Sequence, residues 1–502
     1  MGNNTFPKHT ESFWHKTSHV DEYPKLDKDL TLDVAIIGGG IAGILAAYQI
    51  AKRGKSVTLL EARKLLYGTT GFTTAKLSAQ HMMIYDELIK RYGAEKSKKY
   101  YDANMEGIKI IKDIAEKHNI ECELKEQNAY VYTRDKDKVS HMKREAKAYE
   151  TLSIDGELVE KLPIDLDIEA GVVMHKQYEF HPVMFLSGVI KELEKMNVSI
   201  FENTMVTEVN DGQTVLLKTK TDKTINCKKA ICASHYPVDD PDKYYTNMEP
   251  EMSLATIYEL NDEYPGGMYI NYDDPRRTFR GVDSSGKKYI LVGGESHTPG
   301  NGTSDLERYQ SIAEFAKETF GVKDVIAYFS SHDYLTKDRM PFVGLSDPNR
   351  KNVFVVTGLN KWGLANASIG GKILADIIYG KENPYKELFN PHREIPDIDE
   401  PEGEESEEER SSPTSKEQVN DLEKEEALVY EKDDKKFGVY KDSNEEIHHL
   451  DLECTHLGCN LGWNDGDKTW DCKCHGSRFN AIGEVIEGPA MKSLRKINKD
   501  KN

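Results

Sequence analysis

Residues 32–62, LDVAIIGGGIAGILAAYQIAKRGKSVTLLEA, constrain this chain more than any other stretch. LDVAII is a short apolar run of buried-strand type. Gly38, Gly40 and Gly43 keep G-x-G-x-x-G spacing, and IAGILAAYQIAKRG is apolar at helical spacing. A second strand, SVTLLE, ends on Glu61 about 20 residues after the first glycine. Strand, tight glycine turn, helix, strand and acid form one half of a parallel, Rossmann-like α/β sheet. The glycines let backbone approach a pyrophosphate at a helix N-terminus, where free N–H groups and the helix dipole favour negative charge. Glu61 is placed to accept from a ribose hydroxyl. The whole unit reads as a dinucleotide site.

The motif alone does not separate FAD from NAD, but three later features favour FAD. YGTTGFTTAK, residues 67–76, follows the second strand and offers Thr69 and Thr70 as donors for phosphate and flavin edges. KKAICASHYP, residues 228–237, reads as the strand and turn that close an FAD domain. Residues 339–380 then supply a strand, a Gly turn and a small-residue helix.

On these motifs, residues 32 to about 390 resemble the FAD-dependent oxidoreductases of the D-amino-acid oxidase type, which include glycine oxidase and sarcosine oxidase. The resemblance implies a β-sheet substrate domain over the flavin, drawn from roughly 85–205 and 240–335. It implies that Gly358, Lys361, Trp362, Gly363 and Leu364 form the turn and helix start at the flavin pyrimidine, and that Val206 lies near the adenine. It also implies hydride transfer from a carbon bearing an amine, a step that needs no dedicated base when the amine arrives neutral. Phe72 stands in the flavin loop where some relatives carry a linking residue, so non-covalent FAD is expected, with His81 structural. Tyr178, His181, His332, Tyr334 and Lys361 are candidates for lining the pocket, and Lys361 alone is carried forward as a catalytic candidate. No second G-x-G-x-x-G unit appears, which counts against a reductase with its own nicotinamide domain.

One boundary is plain. Residues 396–415 carry nine acids against one Arg, with Pro, Ser and Gly and hardly an apolar side chain, so they read as an extended linker. The expected organisation is an N-terminal extension (1–30), the oxidoreductase (31–395, with FAD-binding parts near 31–84, 200–238 and 336–390), an acidic linker (396–424) and a small module of short strands (425–502).

That module holds four of the seven cysteines within CTHLGCNLGWNDGDKTWDCKCHGS, residues 454–477. Cys454 and His456 form a C-x-H pair, and Cys472 and His475 a C-x-x-H pair. Two Cys and two His can hold a structural zinc. Against zinc, each pair mixes one Cys with one His, and the extra cysteines, Cys459 and Cys474, sit one in each loop. CTHLGC, CKCHGS and VIEGPA resemble a Rieske domain over nearly the whole of 425–495. The resemblance implies a 2Fe-2S cluster with Cys454 and Cys472 on one iron, His456 and His475 on the other, and a Cys459–Cys474 disulfide joining the loops. Neutral imidazoles in place of two thiolates raise the potential into a window of about -150 to +300 mV. Lys473 and Phe479 depart from the respiratory pattern of Pro and Tyr, while Ser477 is kept, so a middling potential is expected.

The fold class is therefore α/β, with an α+β substrate domain and a small all-β Rieske domain. Flavin accepts two electrons at once and the cluster passes one at a time, which implies an amine or amino-acid dehydrogenase with the cluster as electron exit to a protein or quinone. The alternatives are an electron-transfer module fed by NAD(P)H or a partner, and an O2-using oxidase with a structural cluster. A net charge of -19 argues against nucleic acid as a partner. No run approaches the roughly 20 apolar residues of a membrane helix and the first residues lack a signal-peptide core, so a cytoplasmic protein is expected, with Cys122, Cys227 and Cys232 as buried thiols.

Overall fold

The computed structural model describes residues 6–241, 243–301, 304–395 and 421–497. The acidic linker expected over 396–424 thus lies outside the described residues as far as residue 420.

The strand Leu30–Ile37 becomes wholly buried over its last four residues, as its apolar end demands. It pairs in parallel with Val57–Leu60 on one side and Thr224–Cys232 on the other. Ser199–Phe201 and Val353–Thr357 extend the sheet in parallel, Phe342–Leu345 adds an antiparallel edge, and the hairpin of Val206–Asp211 and Val215–Thr219 branches from Thr224–Cys232. The helix Ile41–Ala51 is apolar all round and buried at every residue, because Gly363–Ile378 packs over it.

A second sheet of nine strands runs from Ala327–Thr336 to Lys76–Leu77 and includes Met248–Glu259, Lys287–His297 and Arg277–Ser284. The helix Tyr85–His118 flanks it and kinks at Gly93, whose φ is 77°. The strands of this sheet come from residues 76 to 336, so it takes in Lys76–Leu77 from the segment expected to bind FAD.

The N-terminal extension is part of the core. Phe13 and Trp14 are fully buried, Trp14 donates from Nε1 to the Thr73 carbonyl at 2.7 Å, and Ser12 hydrogen-bonds the Gly71 carbonyl. These residues brace the 67–76 loop from behind. Cys122, Cys227 and Cys232 are buried free thiols.

The small domain is all β. Glu426–Lys432, Lys435–Lys441 and Ile447–Asp451 form one antiparallel sheet, and Leu461–Asn464, Thr469–Cys472, Arg478–Asn480 and Val485–Glu487 form another. Leu450, Leu452, Trp470 and Phe479 fill its core. Among the described residues, no helix is long and apolar enough to cross a membrane.

Candidate cofactor sites and the contact between them

The glycine turn is built by close approach. Gly38 has φ of +115°, and a Cβ there would stand 2.3 Å from the Ala233 carbonyl oxygen. A Cβ on Gly43 would stand 2.0 Å from the Gly38 carbonyl oxygen, so the helix can sit on the turn only as glycine. Gly40 caps the helix without a side-chain bond, and Thr70 Oγ1 accepts from Ile41 N at 3.1 Å. Glu61 accepts from Gly39 N and Arg63 N, each at 2.8 Å. Burial pushes its carboxyl up, and those two N–H groups and the Arg63 charge pull the other way.

A cavity of about 1050 Å³ opens beside this turn. Its wall includes Arg63, Lys220 and Val206, then Gly38, Gly40, Thr69 and Thr70, and Gly358, Lys361, Trp362, Gly363 and Leu364. Two helix starts border it, those of Ile41–Ala51 and Gly363–Ile378, whose own N-cap residues, Gly40 and Trp362, make no side-chain cap bond. Basic side chains and two helix N-termini in the wall fit a long, anionic dinucleotide.

Of the pocket candidates, His332, Tyr334 and Lys361 line this cavity. Tyr178 and His181 do not. Tyr178 bonds Glu126 and Lys112, while His181 caps the helix Pro182–Lys195 and stands edge-on to Trp14. Lys361 is 27% exposed, with its ammonium bonded to Glu251, to Ser253 Oγ at 2.9 Å and to Ser296 Oγ at 2.8 Å. His81, read as structural, also reaches the cavity wall, where it stacks on Trp362 with centroids 4.6 Å apart. Its Nε2 bonds the Ser78 carbonyl and its Nδ1 the Tyr100 hydroxyl. Burial lowers it to about 3, so the ring is neutral.

The cluster residues sit on two loops of like construction. Gly458 N donates to the Cys454 carbonyl at 2.9 Å, and Gly476 N to the Cys472 carbonyl at 3.0 Å. Cys459 and Cys474 form a disulfide between the loops. Cys454 and Cys472 are buried with free thiols, and the His456 and His475 rings meet at right angles, 4.9 Å between centroids. The His456 N–H and the Ser477 hydroxyl bond the Cys454 sulfur and favour its thiolate. His456 Nδ1 is buried without a partner among the described residues. Two thiols with N–H groups aimed at sulfur and an imidazole nitrogen in need of a bond fit iron coordination.

Sequence reasoning missed the contact between the domains. Tyr334 donates from Oη to the His475 carbonyl at 2.8 Å. His332 Nδ1 lies 3.0 Å from Glu487, and the Tyr236 ring stands edge-on to His456 at 6.0 Å. Residues 484–491 line the same cavity as the glycine turn. His235 stacks on His332 with centroids 5.2 Å apart, and Thr69 Oγ1 lies 3.0 Å from His235 Nδ1.

Comparison with known proteins agrees with both halves. The profile of FAD dependent oxidoreductases (DAO) matches residues 33–377, and that of the Rieske [2Fe-2S] domain matches 414–498. The Rieske 2Fe-2S iron-sulfur protein YhfW of Bacillus subtilis (strain 168) is 36% identical over 528 aligned positions, covering 100% of each chain. Gamma-glutamylputrescine oxidoreductase of Escherichia coli (strain K12) is 20% identical, over 78% of this chain and 94% of that protein. The crystal structure of glycine oxidase from Geobacillus kaustophilus superposes with a TM-score of 0.61 at 15% identity, covering 73% of this chain and 100% of that one. The chain belongs to the DAO family of FAD-dependent oxidoreductases and carries, after that domain, a Rieske domain that binds a 2Fe-2S cluster.

Proposed function

We propose that this enzyme is a dehydrogenase that oxidises an amine or amino acid and passes the electrons one at a time through its Rieske cluster to a separate acceptor. Bound FAD supplies a two-electron acceptor for hydride, and the cluster a one-electron carrier. Gly38, Gly40, Thr69 and Thr70 hold the dinucleotide by backbone and hydroxyl contacts, Gly43 lets the helix seat against the turn, and Glu61 holds the ribose. Val206 flanks the adenine, and Gly358 with Trp362, Gly363 and Leu364 closes the flavin end. Lys361, its ammonium held by Glu251, Ser253 and Ser296, is a cation in the cavity wall, and the Arg276 guanidinium in the same wall suits a substrate carboxylate. Cys454, His456, Cys472 and His475 ligate the irons.

The observation that carries the reading is the Tyr334 to His475 hydrogen bond, which joins the cavity wall to a cluster-ligand loop. The redox-carrying ends of the two domains meet, as an electron exit requires. The relative from Escherichia coli is named for an amine, which supports the substrate class. The free buried thiols of Cys122, Cys227 and Cys232 support a cytoplasmic setting.

The test is an anaerobic titration with a panel of amines and amino acids, with NADH and NADPH in parallel, following flavin bleaching and the EPR of the reduced cluster. Bleaching by an amine followed by a growing Rieske signal is expected. Reduction by NAD(P)H alone overturns the amine assignment, and peroxide formed in air with the cluster left oxidised overturns the exit role.

A further inference from the structure

The small domain is seated on the oxidoreductase by contacts that leave little slack. On the strand Leu461–Asn464, a Cβ at Gly462 would stand 2.5 Å from the Gly300 carbonyl oxygen. At Gly466 it would stand 2.9 Å from the Tyr309 ring. Asp465 accepts from Ser304 Oγ at 2.6 Å, Asp305 N at 2.8 Å and Leu306 N at 3.1 Å, so a side chain of one domain helps to cap the helix Asp305–Phe320 of the other. This seating fixes what meets the cluster loops.

What meets them is Tyr334. Its ring is buried and packed edge-on by His235, His332 and Tyr236 at 4.8, 4.9 and 5.5 Å, and its hydroxyl donates to the His475 carbonyl at 2.8 Å. Within the small domain, the buried Phe479 offers no hydroxyl, and Ser477 is engaged with Ala490 N and Cys454. We propose that Tyr334 is a positioning residue for the cluster: by donating to the carbonyl of ligand His475, the oxidoreductase domain sets the cluster's reduction potential from outside the Rieske fold.

The physical reason is charge. Reduction adds one negative charge to a cluster held by two thiolates and two neutral imidazoles, and a hydroxyl proton directed at a ligand's peptide group favours that added charge. The potential then belongs to the docked pair of domains. The inference rests on the ligand set under Proposed function and not on which molecule reduces the flavin.

The experiment is an EPR-monitored redox titration of full-length holoprotein with dithionite and mediators, on wild type, Tyr334→Phe, Gly462→Ala and the double variant. Phe keeps the ring and removes only the hydroxyl. A lower midpoint and shifted g values are expected for Tyr334→Phe at unchanged cluster content. In the Gly462→Ala background, where the Gly300 backbone forces the domains apart, the same substitution should have no effect. Gly466→Ala provides a second background should Gly462→Ala fail to fold. An unchanged midpoint in Tyr334→Phe, or an equal shift in docked and undocked backgrounds, overturns the proposal. A midpoint that moves in a protein whose flavin no amine reduces supports the role of Tyr334 and overturns only the amine reading.

Discussion

His332 and Glu487, 155 residues apart in sequence, join the two domains through a 3.0 Å contact between imidazole and carboxylate. Burial works against the Glu487 charge, but the His332 bond and the charges of Arg478, His332 and His235 outweigh it and hold the carboxyl well below its usual range. Glu487→Ala leaves His332 Nδ1 without its partner and removes a counter-charge from Arg478. The expected loss is about 1.5–3 kcal/mol of domain–domain interaction, the range for hydrogen bonds to charged groups. Scanning calorimetry checks it: a separate, lower transition for the Rieske domain is expected, and a single unchanged transition would sink the idea.

In the same cavity wall, Glu61 accepts from two backbone N–H groups with its two oxygens. A glutamine there has one acceptor and turns an N–H₂ toward a donor. Loss of a charged acceptor for the ribose at about 1.5–3 kcal/mol corresponds to about 10- to 100-fold weaker FAD binding. The flavin-to-protein absorbance ratio after gel filtration should fall in Glu61→Gln, with the cluster signal intact.

Ligand and disulfide cysteines should separate cleanly. Cys472→Ser removes a ligand, so the Rieske EPR signal should vanish while FAD stays bound. Replacing Cys459 and Cys474 together leaves all four ligands and unties the two loops. The signal should form and then decay faster on dilution or warming. Metal analysis run beside it tests the zinc alternative, since two irons and no zinc are expected per chain.

How much of this was legible follows from sequence distance. The glycine turn is local, and its residues meet in the structure as spaced in the chain. The same holds for the paired cysteines and histidines, carried on loops of two like turns. The domain contact was not legible, because Tyr334 and His475 come from different domains 141 residues apart and no local pattern marks either as a partner. Tyr178 and His181 are ordinary polar members of the fold, the first paired with Glu126 and Lys112, the second a helix cap. Phe13 and Trp14 sit in a polar-looking stretch whose two large rings were the signal that it packs.

Burial also sets a pH dependence away from both cofactors. Glu145 is fully buried and accepts from Tyr85 N and Asp86 N, each at 2.9 Å, at the start of the helix Tyr85–His118. Burial pushes its carboxyl from 4.5 up to about 7, and the two N–H bonds only partly offset that. Between those values the folded chain holds a proton that the unfolded chain has released. Stability therefore falls as pH rises from 4.5 toward 7 and stays lower above it. The span corresponds to about 3 kcal/mol at most for one group. Glu145→Gln is neutral at every pH and keeps one acceptor, so its Tm relative to wild type should climb between about pH 4.5 and pH 7 and level off above it. Parallel Tm curves for the two proteins across that range would show that the buried carboxyl titrates as it does in water.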